Sequence, residues 1–126
     1  HLKDKIWKGP ISDALEVGKL LITDYSSVCY NTFYQGGGVI FYQEDLEYYE
    51  SYVGKLIPSN DEYIGFRAFS MQDLSKLLEK CISKGNIDLQ ELRTEQFEHN
   101  YGLINEFSDG KNIDRICDEL ERLKLI

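Results

Sequence analysis

A nine-residue stretch sets the terms for the rest of the chain. Leu20-Leu21-Ile22-Thr23-Asp24-Tyr25-Ser26-Ser27-Val28 is a short apolar run that stops at a polar turn and restarts as a helix. From Val28 to Tyr34 the apolar residues fall close to helical spacing, and Gly36-Gly37-Gly38 then breaks the pattern. The aromatic and β-branched residues there also suit a strand, but a serine start and a glycine stop favour a helix. Val39-Ile40-Phe41-Tyr42 follows as a short, continuous, β-rich run, the pattern of a strand covered on both faces. Strand, helix and strand in this order form one crossover unit, which points to an α/β fold with a parallel sheet.

Ser26 and Ser27 are the candidate functional residues of the first strand-to-helix junction. Hydroxyl oxygens accept from the backbone N–H groups that lack an intrahelical partner at a helix start. Spare N–H donors at such a start attract anions, and a second hydroxyl can donate to a phosphate oxygen. The alternative is that the serines only cap the helix and touch no ligand. The triple glycine is read as a helix stop and not as a phosphate loop. It precedes a strand, whereas the dinucleotide fingerprint and the P-loop set their glycines after a strand and before a helix.

The flanking segments fill out the layers. Ser12, Asp13 and Glu16 resemble a helix start, with Gly18 as its stop. Tyr48, Tyr49 and Tyr52 allow a short helix lying over the strand ends, where its tyrosines either stack on a base or simply pack. Pro58-Ser59-Asn60-Asp61 marks a loop, and Phe66 to Phe69 a short edge strand. Ser70 before Met71-Gln72-Asp73 is a capping signal for a helix carrying Leu74, Leu77, Leu78 and Ile82 up to Gly85. A further helical region is expected from about Asp88, through Leu89, Leu92 and Phe97, to about Tyr101. Ile113, Ile116, Leu120 and Leu123 mark a terminal helix.

With 126 residues the chain suits one domain and is short for a two-domain enzyme; beginning at His1 and not Met, it is expected to be a processed or partial chain. A formal net charge of −8 argues against a nucleic-acid partner, whose phosphates need clustered Lys and Arg. Cys29, Cys81 and Cys117 are odd in number and lack ligand spacing, as reduced cytosolic thiols would be. No apolar run is long enough to span a bilayer, so membrane contact is not expected from this segment. His99 is the only internal histidine and has no Cys or His at ligand spacing. No metal, no cofactor and no catalytic base is expected within the chain. A second polar junction, Asp109-Gly110-Lys111, precedes the terminal helix; it is either an anion contact or a plain turn with a cap.

Three features together resemble a known family. Thr23-Asp24-Tyr25-Ser26-Ser27-Val28, the strand Val39-Ile40-Phe41-Tyr42 and then Asp45-Leu46-Glu47-Tyr48-Tyr49 look like the C-terminal region of the CDP-glycerol glycerophosphotransferases of teichoic acid synthesis. Asp109-Gly110-Lys111 and Arg115 resemble that family's closing Asp-Gly-Lys-Ala-Ser-Glu-Arg pattern, with Asn112-Ile113 standing where the family has Ala-Ser. Gly36-Gly37-Gly38 replaces a more ordinary polar turn, and the segment from Gly54 to Gly65 departs from the family.

The resemblance implies a Rossmann-like three-layer domain with a mostly parallel sheet. Residues 1–126 would be the single C-terminal, donor-binding domain of a GT-B enzyme. Such enzymes transfer glycerol phosphate from CDP-glycerol to a growing polymer at the inner face of the cell membrane, releasing CMP. Ser26 and Ser27 would hold the donor diphosphate, and Asp109, Gly110 and Lys111 would lie near the nucleotide. The polymer acceptor would bind a domain upstream of residue 1, which would also carry the catalytic histidines, so this chain alone is expected to be inactive. Two alternatives stand beside this reading: a GT-B glycosyltransferase with another nucleotide-linked donor, and a non-catalytic flavodoxin-like interaction domain.

Overall fold

The structure, a computed structural model, describes residues 2–56, 62–83 and 85–126. After a short 3-10 turn, α1 (Ile11–Val17) leads into β1 (Leu20–Thr23), α2 (Cys29–Tyr34) and β2 (Gly38–Tyr42). Then come α3 (Leu46–Val53), β3 (Phe66–Ala68), α4 (Met71–Cys81), the short strands β4 (Ile82–Ser83) and β5 (Asn86–Ile87), α5 (Phe97–Ile104) and α6 (Asn112–Arg122). The fold is α/β and Rossmann-like. Its main sheet has three parallel strands in the order β1-β2-β3, and β4 and β5 pair separately.

The central strand explains the layering. Side chains alternate across a strand, and β2 sends Val39 and Phe41 to one face and Ile40 and Tyr42 to the other. On the first face Val39 and Phe41 pack with Cys29 and Phe33 of α2, with Tyr63 and Ile64, and with Phe97 of α5. On the second, Ile40 packs with Ala68, with Leu74 and Cys81 of α4, and with Leu92. Both faces of β2 are therefore dry, as its unbroken apolar sequence foretold.

Two glycines of this region are fixed by close approach. A Cβ on Gly38 would stand 2.5 Å from the Leu92 Cβ, and one on Gly65 would stand 2.2 Å from the Val39 carbonyl oxygen. The triple glycine does stop α2: Gly36 takes a left-handed φ of 77° just past the helix, and its N–H donates to the Phe33 carbonyl at 2.9 Å.

Several sequence expectations change. α1 begins at Ile11 after Pro10, without a side-chain cap from Ser12. α4 has its Ser70 cap, whose hydroxyl accepts from the Asp73 N–H at 3.1 Å, but it ends at Cys81 and not at Gly85. Ile82 and Ser83 instead pair antiparallel with Ile87 and Asn86, and Gly85 with φ 77° lies between the two strands. The helix expected from Asp88 is a run of turns as far as Gln96, and α5 starts only at Phe97. The Pro58–Asp61 loop lies outside the described residues.

Candidate functional site

The carboxyl ends of β1 and β2 lie side by side because the strands are parallel and in register from Leu20 and Gly38 to Thr23 and Phe41. In sheets of this kind ligands bind outside those ends. Here the chain leaving β1 makes a polar turn and the chain leaving β2 continues into Gln43. Between them opens a cavity of about 150 Å³ whose lining includes Asp24, Tyr25, Ser26, Ser27, Phe41 and Gln43. Cys29, Tyr30, Leu56, Tyr63 and Ile64 complete a mostly apolar wall.

Ser26 and Ser27 stand exposed on this cavity. Neither is the side-chain cap of α2: the cap position falls on Val28, which has none. The Ser26 hydroxyl accepts from the Val28 N–H only at a long 3.4 Å. The main chain supplies the turn itself, the Cys29 N–H donating to the Ser26 carbonyl at 3.3 Å and the Tyr30 N–H to that of Ser27 at 3.1 Å. The serine side chains thus line the cavity without being committed to holding the helix start.

Tyr25 fixes the outer side of this turn. Its ring stacks on Tyr49 of α3, with centroids 3.6 Å apart and planes 8° from parallel, and its hydroxyl donates to Asp45 Oδ1 at 2.8 Å. Burial pushes the Tyr25 phenol well above its ordinary pKa, and the hydrogen bond to Asp45 and that carboxylate's charge push it further the same way. The phenol therefore stays a donor, which ties the β1–α2 turn to α3. Burial likewise raises the Cys29 thiol, so this wall residue is a neutral packing group and not a thiolate nucleophile.

Gln43 is the residue that sequence reasoning missed. It continues the alternation of Val39 and Phe41 onto the first face and is only 1% exposed. Its Oε1 accepts from Arg67 Nε at 2.8 Å. Its Nε2 points the other way, 3.5 Å from the Asp24 carbonyl and 3.5 Å from the Tyr63 hydroxyl. The signal available in sequence was a polar residue in phase with a buried strand face, directly at that strand's end.

Asp109, Gly110 and Lys111 are not part of this cavity. Asp109 is held by Arg115, which donates from both terminal guanidinium nitrogens, at 2.8 and 2.7 Å, to the two carboxylate oxygens. The Lys111 N–H donates to Asp109 Oδ1 at 3.1 Å, and Gly110 takes a left-handed φ of 75° to close the turn. The Arg115 hydrogen bonds, then the Lys111 N–H, hold the Asp109 carboxyl far below the ordinary carboxylate range. Arg115 also lies over the Phe107 ring at 4.1 Å. His99 is exposed on α5, and among the described residues no cluster of three or more His, Cys, Asp or Glu is placed to hold a metal. Among them, too, no helix is long and apolar enough to cross a membrane.

Compared with known families, residues 4–122 match the model of the CDP-glycerol:poly(glycerophosphate) glycerophosphotransferases. Comparisons with curated proteins and with solved structures return no significant match.

Proposed function

The chain belongs to the CDP-glycerol:poly(glycerophosphate) glycerophosphotransferase family, and from that premise we propose that it is the donor-binding part of a transferase. The donor is CDP-glycerol, the acceptor a hydroxyl of a growing cell-envelope polymer, and the released product CMP. The observation that supports this reading is the position of Ser26 and Ser27 on a cavity at the carboxyl ends of two parallel strands.

The site's contribution is electrostatic holding. Ser26 and Ser27 donate from their hydroxyls to diphosphate oxygens, and the main chain around them leads into a helix start, where the local dipole favours negative charge. A phosphoryl group is transferred by being positioned in line while charge on the leaving phosphate is stabilised, so holding the donor is a large part of the work. The Asp109–Gly110–Lys111 turn, which lies outside this cavity, is in this reading a separate contact near the nucleotide, with Lys111 as its cation. Proton transfer at the acceptor belongs to histidines of an N-terminal acceptor domain, in the two-domain GT-B arrangement, and this chain alone is inactive. The whole enzyme works at the cytoplasmic face of the membrane, with attachment supplied outside this segment.

Titration of the chain with CDP-glycerol, CDP and CMP by calorimetry tests the reading. Hydrogen bonds to charged groups contribute about 1.5–3 kcal/mol each, so Ser26→Ala combined with Ser27→Ala is expected to weaken CDP binding at least tenfold and CMP binding less. A folded wild-type chain that binds none of the three ligands would overturn this reading and favour the non-catalytic interaction domain.

A further inference from the structure

Gln43 is buried among aromatic groups, and a buried amide is costly unless its polar atoms are matched. Its orientation is decided by Arg67. A guanidinium has only donors, so the group facing Arg67 Nε at 2.8 Å must be the amide oxygen. The NH₂ end is thereby turned toward Asp24 and Tyr63, both of which line the cavity. Its two acceptors there lie at 3.5 Å, the long limit of a hydrogen bond, so that donor end is only weakly satisfied within the protein. Arg67 is itself seated over the rings of Tyr63 at 4.2 Å and Phe69 at 4.7 Å, which keeps it from turning away.

The size of the cavity limits what can meet this donor. A space of about 150 Å³ corresponds to one benzene-sized ring, whereas sites for whole ligands run to about 300–1,000 Å³. Phe41, Tyr63, Ile64 and Cys29 form the apolar side, which suits a flat or compact group, beside the polar Asp24, Ser26 and Ser27.

We propose that Gln43 is a specificity-determining residue of this site, donating from Nε2 to an acceptor oxygen on a group no larger than a single six-membered ring at one end of the bound donor. The proposal rests on the donor-binding reading given above. A carbonyl oxygen of a pyrimidine and a hydroxyl of glycerol share the required chemistry. An amino group presented at the same place would face a second donor and be rejected, because Arg67 prevents the amide from flipping.

The test follows the side-chain amide resonances of Gln43 and the backbone amides of Ser26 and Ser27 by ¹⁵N NMR as CMP, CDP or CDP-glycerol is added to the chain. The Gln43 side-chain signal is expected to move downfield with ligand occupancy. Movement with CMP as well as CDP-glycerol assigns the partner to the base, and movement with CDP-glycerol alone assigns it to the glycerol; either supports the proposal. Gln43→Glu keeps an acceptor for Arg67 but replaces the donor with a charged acceptor, and Gln43→Met removes the donor at the same length without adding charge. Both are expected to weaken the ligand that moves the signal about tenfold. A static Gln43 signal at saturation, with Ser26 and Ser27 shifting, overturns this inference and leaves the donor-site reading standing. No shift at any of the three positions overturns both.

Discussion

Asp109 shows how much a single exposed residue can be held by its neighbours. Its carboxylate accepts from both terminal nitrogens of Arg115 and from the Lys111 N–H, and its folded pKa is lowered, the Arg115 hydrogen bonds being the largest cause. A lowered folded value means that the pairing favours the folded turn at every pH above the unfolded aspartate value of about 3.9. That support falls away progressively as the pH drops from the unfolded value towards the lower folded one, and is gone below the folded value. In a ¹³C-detected titration Asp109 should therefore stay ionised after most of the chain's carboxylates have protonated, and Asp109→Asn should loosen the first turn of α6 at neutral pH. A midpoint at the ordinary aspartate value would show the Arg115 pairing to be absent in solution. Gln43 stands at the other extreme of burial. Its partners Arg67 and Tyr63 lie 24 and 20 residues away in sequence, so nothing local to Gln43 announces them.

Among the elements, those whose signals are local were legible and those shaped by distant packing were not. β1, α2 and β2 were readable because an apolar run, a polar turn and a glycine stop are all local events. α4 was readable at its start, where Ser70 caps the Asp73 N–H. Replacing Ser70 by Ala is expected to cost about 1 kcal/mol in chemical unfolding, the usual value for losing such a cap, and to leave ligand binding alone; an unchanged midpoint would show the cap to be idle. Its end was misjudged because Gly85 satisfies two grammars at once. A left-handed glycine ends a helix and also turns a hairpin, and here it belongs to the β4–β5 connection. Leu89 and Leu92 mimic helical spacing for another reason: Leu92 fills the space left open by the missing side chain of Gly38. For the candidate site, the sequence singled out Ser26 and Ser27 as diphosphate contacts with helix capping as the alternative; both line the cavity, and the main chain makes the turn into α2. The aromatic wall and the partners of Gln43 required the tertiary fold.

Over the whole molecule, apolar burial is uneven. The core lies around β2, whereas α6 buries none of its residues, and Ile113 and Ile116 are 75% and 59% exposed. Their contribution to folding should be correspondingly small. Ile116→Lys is expected to change the unfolding free energy by no more than about 0.5 kcal/mol, measured by urea titration; a loss of several times that amount would mean that α6 packs against the domain in solution. The strand order β1-β2-β3 has a kinetic corollary as well. Each parallel strand joins beside its predecessor, so no pairing waits for a later segment to be inserted. The first ladder joins Leu20 to Gly38 and the second joins Ile40 to Phe66, a longer closure that costs roughly 0.3 kcal/mol more in chain entropy. Assembly in the direction of synthesis is thereby favoured, with β1, α2 and β2 docking as a nascent unit. That unit already gathers Ser26, Ser27, Phe41 and Gln43. The Gln43 amide receives its orientation last, when β3 delivers Arg67.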